Sequence, residues 1–402
     1  MIGGHRWDLL VVGAGPAGSA AALAARQAEP GLRVAVLDRA PFPRDKSCGD
    51  GIAPQVFEAL ACVGVGGLAE GWAPVRELRL ARGTREARGD LGDGARVIPR
   101  EVFDARLAES AVAAGAELVL HRAREVGCGA GDVEVDAHRG ALLIGADGAH
   151  SRVASALGRP SGSRRAVAIR GYAPTPEARR GRQEIVFGDR AQPSYAWAFD
   201  RGDGLSNVGY GELLVRGSRP SRALLLAELD RLLPGAAAGG ARWRGHPLPL
   251  SGRRWPIPDG RVLLAGDAAG LVNPLTGEGI FYAVATGILA GRSAAEALAA
   301  GDPGSAGARY RRAARPLLAR HLRHTWAASR LAGVPGVVDG VLSGAGDARV
   351  FGDLAELGLG RGRVTPRLVR AIAVGVARNA VERRADATIG PTLGPDPGRG
   401  PR

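Results

Sequence analysis

Cys48 stands two residues after Lys46 and four after Arg44, in the stretch Arg44-Asp45-Lys46-Ser47-Cys48-Gly49-Asp50-Gly51. Cations lower a thiol's pKa when they meet it in space, so this loop can supply an acid, a substrate-orienting group, or only packing. Lys46 is the only lysine in a chain that has 54 lysines and arginines together. An ammonium and a planar guanidinium are not interchangeable, so a lysine kept against that bias points to a specific contact. Lys46 and Cys48 are therefore the candidate catalytic pair.

The start of the chain carries a different chemistry. Gly13, Gly15 and Gly18 fit G-x-G-x-x-G, with Pro16 and Ala17 between the last two. The apolar run Leu9 to Val12 precedes them, and an alanine-rich stretch of high helix propensity follows. The first glycine permits the tight turn, the second lets a pyrophosphate approach the backbone, and the third lets helix and strand pack closely. A second apolar run, Val34 to Leu37, ends in Asp38, twenty residues past Gly18. An acid there accepts from a ribose 2′-hydroxyl and disfavours a 2′-phosphate.

These residues need a parallel sheet to hold them. Ala141 to Gly145 runs into Ala146-Asp147-Gly148, and Arg261 to Ala265 runs into Gly266-Asp267, so the strand-to-glycine-to-acid pattern recurs twice. Between these two pieces, runs at 166–172, 183–187, 195–199 and 206–211 alternate with turn residues, which predicts an antiparallel sheet. Short strands at 117–120, 123–126 and 133–137 are expected to form a meander, with 127–131 as a turn. Helices are expected at 54–61, 101–114, 224–233, from 277 to about 300, at 308–332 and at 366–384. Gly64-Val65-Gly66 and Gly358-Leu359-Gly360 lack a preceding strand and read as turns.

The expected fold is α/β. A discontinuous Rossmann-type dinucleotide domain (1–75, 97–160 and 255–300) is interleaved with an antiparallel-sheet substrate domain (76–96 and 161–254). A C-terminal helical region follows (301–386), and the proline- and glycine-rich tail (387–402) is expected to be disordered.

The formal charge is +14, yet the arginines are spread along the chain without a basic block or a recognition motif, so nucleic acid is not an expected partner. Attraction to anionic lipid headgroups is the more natural use of that charge. Cys48, Cys62 and Cys128 are scattered and form neither a disulfide framework nor a metal site. His321 and His324 on a basic helix read as a solvated face. No apolar run is long enough to span a bilayer, and the chain enters its first strand at once. A cytoplasmic protein is expected, with peripheral contact on the inner membrane face if its substrate is a lipid.

The three strand-to-glycine pieces together resemble the FAD-binding fold of the aromatic-hydroxylase superfamily, and no second G-x-G-x-x-G unit is present for a nicotinamide domain. Within it, Arg44 to Gly51, the loop Asn273-Pro274-Leu275-Thr276-Gly277-Glu278-Gly279-Ile280, and Tyr195-Ala196-Trp197-Ala198-Phe199 resemble the geranylgeranyl reductase family. The proline that usually follows the aromatic strand is Asp200 here. The Cys-Gly-Asp-Gly variant and Arg170-Gly171-Tyr172 look closest to the branch that reduces a menaquinone side chain.

The resemblance implies FAD as cofactor, with NAD(P)H or another reductant as transient donor. It assigns to the cofactor Gly13, Gly15, Pro16, Ala17, Gly18, Asp38, Arg39, Arg44, Cys48, Gly49, Arg100, Asp147, Gly148, Gly266, Asp267, Pro274, Gly277, Gly279 and Ile280. Tyr195, Trp197 and Phe199 alternate and so share one face of a strand, where they can line an apolar trough or pack on their own core. With Tyr282 they are the candidate substrate residues, and Glu278 is expected to cap the helix that follows it.

The implied reaction saturates a carbon–carbon double bond in a polyprenyl lipid or quinone. A proton must arrive with the hydride, in a pocket that excludes water. The alternatives are a flavin monooxygenase acting on an aromatic or polyketide substrate, against which the Lys46–Cys48 loop argues, and a flavin-bound sensor.

Overall fold

The computed structural model describes residues 6–388 apart from 130, 160–164, 216 and 256, with side chains through 381. The tail expected to be disordered lies, from 389 on, outside the described residues.

Arg6–Val12 is the central strand of the first sheet, because Leu9 to Val12 are apolar on both faces and both faces are covered. Val34–Asp38 lies parallel to it on one side and His138–Gly145 parallel on the other. Val262–Leu264 pairs in parallel with the last residues of His138–Gly145. The strands that end at Val12, Asp38, Gly145 and Leu264 therefore deliver their following loops to one edge of the sheet, where open α/β sheets bind ligands. Helix Pro16–Ala28 packs against Ile280–Ala299 at very short range. A Cβ on Gly287 would stand 2.2 Å from the Ala17 carbonyl oxygen, and one on Gly291 2.1 Å from that of Ala21. These two glycines, one turn apart, set the closeness of that helix pair.

The second sheet has the order Ala241–Pro249, Arg165–Pro174, Leu205–Leu213, Ser194–Asp200, Arg182–Phe187, Glu77–Arg82, Arg85–Asp90. It is antiparallel except where Arg182–Phe187 runs parallel to Glu77–Arg82. Helix Arg222–Leu232 covers one face, burying Leu225 and Leu229 against Ala196, Ala198, Val208 and Tyr210. The period of two then turns Tyr195, Trp197 and Phe199 to the opposite face.

Four C-terminal helices close over that opposite face: Ala306–Leu331, Val337–Gly344, Ala348–Leu359 and Pro366–Thr388. Leu342 and Phe351 pack with Leu78, Leu80 and Ala87 of the sheet.

Several expectations need correction. Glu117–Leu120 pairs in parallel with Val34–Asp38 at the outer edge and is no part of the meander, which consists of Val126–Cys128, Val133–Val135 and the start of His138–Gly145. The expected turn at 127–131 thus begins inside a strand. Strands Arg85–Asp90 and Ala241–Pro249 were not anticipated, since arginines and glycines interrupt their alternation. Helix Ala348–Leu359 was missed as well. Its Asp347 cap accepts from the Arg349 and Val350 amides, and Gly358 and Leu359 end that helix rather than form a turn.

Candidate active site

The loops at the carboxyl edge of the first sheet form a cradle. Gly13 has φ +99°, and a Cβ there would stand 2.4 Å from the Ala146 carbonyl oxygen. A Cβ on Gly18 would stand 1.8 Å from the Gly13 oxygen, so both positions are closed by backbone. Gly15 differs: the nearest atom to its would-be Cβ is Arg44 Nη2 at 3.8 Å. That open face lies at the start of helix Pro16–Ala28, which has no side-chain cap, so its amides are free to receive an anion.

The charged groups around the cradle are tied to one another. Asp38 Oδ2 accepts from the Ala14 amide (2.8 Å) and from Arg44 Nη2 (3.0 Å), while Arg39 is exposed. Arg100 makes a buried bidentate pair with Asp104 (2.6 and 2.7 Å). Lys46 Nζ lies 3.3 Å from Asp267 Oδ2. Gly266 and Gly277 both have positive φ, and Gly279 leaves Asp267 Oδ1 3.5 Å from where its Cβ would be. Asp147 accepts from Ser151 Oγ and from the Arg152 amide (2.6 Å), so its carboxylate holds its own loop, beside an open Gly148. An uncapped helix, an open Gly15 and an acid at the second strand's end fit the pyrophosphate and ribose of FAD.

From Pro16, Lys46 and Asp267 a cavity of about 800 Å³ runs past Cys48 and the aromatic strand to the C-terminal helices. Pro274, Gly277, Gly279 and Ile280 line it, and Ala328, Leu331, Leu354 and Leu368 form its far end. Tyr195, Trp197 and Phe199 form a continuous row, with ring centroids 6.0 and 6.4 Å apart. The Tyr195 hydroxyl donates to the Thr276 carbonyl, joining this row to the loop before the long helix. Gly49 passes so close to the row that a Cβ would lie 3.3 Å from the Phe199 ring.

Asn207 organises the centre. It lies opposite Phe199 in the strand register, accepts from Trp197 Nε1 (2.9 Å), and donates to both the Cys48 carbonyl and Asp50 Oδ2 (2.8 Å each). Tyr172 donates to the same Asp50 oxygen (2.6 Å).

The electrostatics differ from the expected picture at Cys48. Lys46 and Arg44 are engaged with Asp267, Asp38 and Asp104, and burial pushes the thiol up, opposed first by Arg100. Cys48 is therefore held as a thiol. Burial also pushes Glu278 up to about 7, although its Oε1 accepts from the Phe281 amide (2.9 Å) in the expected capping role. It pushes Asp50 up to about 6 against the opposing Tyr172 hydrogen bond. His246, also lining the cavity, is lowered to about 4 by burial and then by Lys46.

Two readings fail on burial. Tyr282 is 1% exposed, does not line the cavity, and contacts His321 Nε2 through its hydroxyl. His321 is 2% exposed with Nδ1 2.6 Å from the Gly362 oxygen, and His324 Nδ1 accepts from the Val364 amide (3.0 Å). Both histidines bind the helix to the chain crossing it instead of forming a solvated face. Among the described residues no cluster of histidine, cysteine and acids could hold a metal. Asp50, Asn207 and His246 were missed. Asp50 stood in the quoted loop, but only strand pairing brings Asn207 and Tyr172 to it.

The pattern of an FAD binding domain matches residues 6–175. The menaquinone reductase of Mycolicibacterium smegmatis is 33% identical over 323 residues, covering 71% of this chain and 75% of that protein. Digeranylgeranylglycerophospholipid reductase 1 of Methanopyrus kandleri is 34% identical over 330 residues, covering 74% and 82%. In fold, the chain matches a geranylgeranyl bacteriochlorophyll reductase-like protein from Thermoplasma acidophilum with TM-score 0.76 at 23% identity, over 94% of this chain and 100% of that one. With the FAD cradle and these relatives in hand, the chain belongs to the geranylgeranyl reductase family of FAD-dependent oxidoreductases.

Proposed function

We propose that this enzyme saturates a carbon–carbon double bond in the prenyl chain of a polyprenyl lipid or quinone, with the menaquinone side chain as the preferred substrate. The observation that carries this reading is the cavity itself. It is long, mostly apolar, and continuous from Lys46 and Asp267 at the cofactor end to Leu331 and Leu368 at the other. A prenyl chain offers only apolar surface, and burying it there releases about 25 cal/mol per Å².

FAD, when bound and reduced, supplies hydride. Gly15, the start of helix Pro16–Ala28, Asp38 and Asp267 would hold it. Lys46 would fix the Asp267 carboxylate, and Cys48 with Gly49 would form the wall between cofactor and substrate. Tyr195, Trp197 and Phe199 would lie along the prenyl chain, and the surrounding helices would keep water out.

The cavity opens where Leu331 (55% exposed) and Val369 (53%) both line it and face solvent, near Val334 and Val374. No helix among the described residues is long and apolar enough to cross a membrane. Exposed apolar side chains around a lipid-sized opening, on a chain of charge +14, support peripheral contact with an anionic bilayer.

The test is anaerobic incubation of dithionite-reduced enzyme with menaquinone, and separately with a geranylgeranyl lipid, followed by mass spectrometry. Gain of two hydrogens on the prenyl chain is expected. Gain of one oxygen, seen only in air, would overturn the reading.

A further inference from the structure

Asp50 is fully buried and stands in the wall of the cavity. Its two carboxyl oxygens are treated very differently. Oδ2 accepts from the Tyr172 hydroxyl (2.6 Å) and from Asn207 Nδ2 (2.8 Å). Oδ1 is buried with no hydrogen-bond partner. An orphaned buried carboxylate oxygen is costly when charged, so this oxygen is the natural carrier of the proton. The backbone at Asp50 is left-handed (φ +60°), a conformation that Asp adopts more readily than most non-glycine residues.

We propose that Asp50 is the acid that delivers the proton to the substrate double bond, carried on its unpartnered Oδ1 while Tyr172 and Asn207 hold Oδ2. This rests on the reductase reading above. The double bond takes up a hydride, with its two electrons, from reduced FAD, and a proton from Asp50. Two C–H bonds form as the carbon–carbon π bond, the donor's bond to the transferred hydride and the Asp50 O–H bond break. The cofactor would be left oxidised by two electrons, and the carboxylate regains a proton from water after product leaves.

The competing acids are less well placed. Cys48 receives the Asp50 amide hydrogen on its sulfur, and burial makes its thiol a weaker acid than usual. Burial pushes Glu278 up to about 7, but its Oε1 accepts from the Phe281 amide (2.9 Å) and caps the helix that follows, so its role at the helix start accounts for it. The groups bearing on Asp50 are Tyr172 and Arg170 from one strand, Asn207 from the next, Arg100 from its helix, and Cys48 in its own loop. Burial outweighs the two arginines and raises Asp50 to about 6, so part of the population carries the proton near neutral pH.

The experiment uses FAD-loaded protein with three variants, Asp50→Asn, Tyr172→Phe and Glu278→Gln. The first readout needs no substrate. Infrared titration is expected to show a protonated carboxylic acid band that is lost in Asp50→Asn, with its midpoint moved to higher pH in Tyr172→Phe, because a hydrogen bond to the charged form is removed.

The second readout is the single-turnover rate of dithionite-reduced enzyme against pH. The wild-type rate should fall tenfold per unit above the infrared midpoint, and the same limb should persist in Glu278→Gln. Asp50→Asn should lose at least 100-fold and the limb with it, while retaining FAD absorbance. Asp50→Asn keeping the wild-type limb, or Tyr172→Phe leaving both midpoints unmoved, overturns the assignment. A wild-type enzyme that saturates neither lipid overturns only the polyprenyl reading, and the infrared midpoints still decide whether Asp50 holds a titrating proton.

Discussion

Lys46 Nζ lies 3.3 Å from Asp267 Oδ2, so the chain's only lysine is tied to the acid at the end of the last parallel strand, 221 residues away in sequence. The thiol it neighbours in sequence is not its partner. Lys46→Met should leave that carboxylate uncompensated and weaken FAD binding by about tenfold, the worth of one charge-assisted hydrogen bond. Fluorescence titration of the apoprotein with FAD measures this, and unchanged affinity would show that the pair has no part in holding the cofactor.

The glycines of the first turn make a sharper contrast. Gly18→Ala drives a Cβ to 1.8 Å from the Gly13 oxygen and should cost about 3 kcal/mol of stability, read from chemical denaturation of the apoprotein. Gly15→Ala meets nothing nearer than Arg44 Nη2 at 3.8 Å, so the apoprotein should keep its denaturation midpoint while FAD is lost. If Gly15→Ala still purifies with full flavin, the open face is not the pyrophosphate seat.

The difference between these glycines also marks how far the sequence could be read. The spacing of Gly13, Gly15 and Gly18 and the position of Asp38 announced the cradle, because strand, turn and helix are local and each constrains the next. The aromatic row was legible for the same reason, since a period of two needs only one strand. Partners that meet through sheet register were not legible. Asn207 reaches Cys48 and Asp50 because Leu205–Leu213 pairs with Ser194–Asp200 at Phe199, and nothing in its neighbours announces this. Lys46 was paired with Cys48 because nearness along the chain stood in for nearness in space, whereas its partner is Asp267. Tyr282 and His321 were misread because helix periodicity places residues on a face without saying what that face packs on.

Cys48 provides a check on burial. Its half-buried thiol should alkylate with iodoacetamide at pH 8 more slowly than the exposed Cys62 of the same chain, since desolvation raises its pKa and leaves less of it as thiolate. Peptide mapping by mass spectrometry gives both rates from one sample. Equal rates would mean that the loop opens far more readily than its packing implies.

The mouth of the cavity gives a test of where the lipid enters. Leu331→Glu with Val369→Glu places acids among exposed apolar side chains and should abolish flotation with anionic liposomes at low salt. Turnover of a short, detergent-soluble prenyl substrate should change less than twofold, because both residues are exposed and belong to the C-terminal helices, not to the aromatic row or the cradle. If the double variant still floats with the liposomes, the membrane contact lies elsewhere.

Asp50 also links the site to the stability of the fold, and the sign follows from the direction of its shift. Its carboxyl titrates near 3.8 in the unfolded chain and near 6 when folded, so the folded state binds the proton more tightly. That stabilisation is complete below about pH 4 and is lost as pH rises through about 6, a cost of roughly 3 kcal/mol once the buried group is charged. Asp50→Asn is neutral at every pH and can still accept from Tyr172 and Asn207. It should therefore melt at a higher temperature than wild type at pH 8, while near pH 4 the difference should vanish. Differential scanning calorimetry at the two pH values decides it. An equal or lower melting temperature for Asp50→Asn at pH 8 would mean that the arginines Arg170 and Arg100 fully compensate the charge, and that the fold bears no cost for keeping an acid in its apolar cavity.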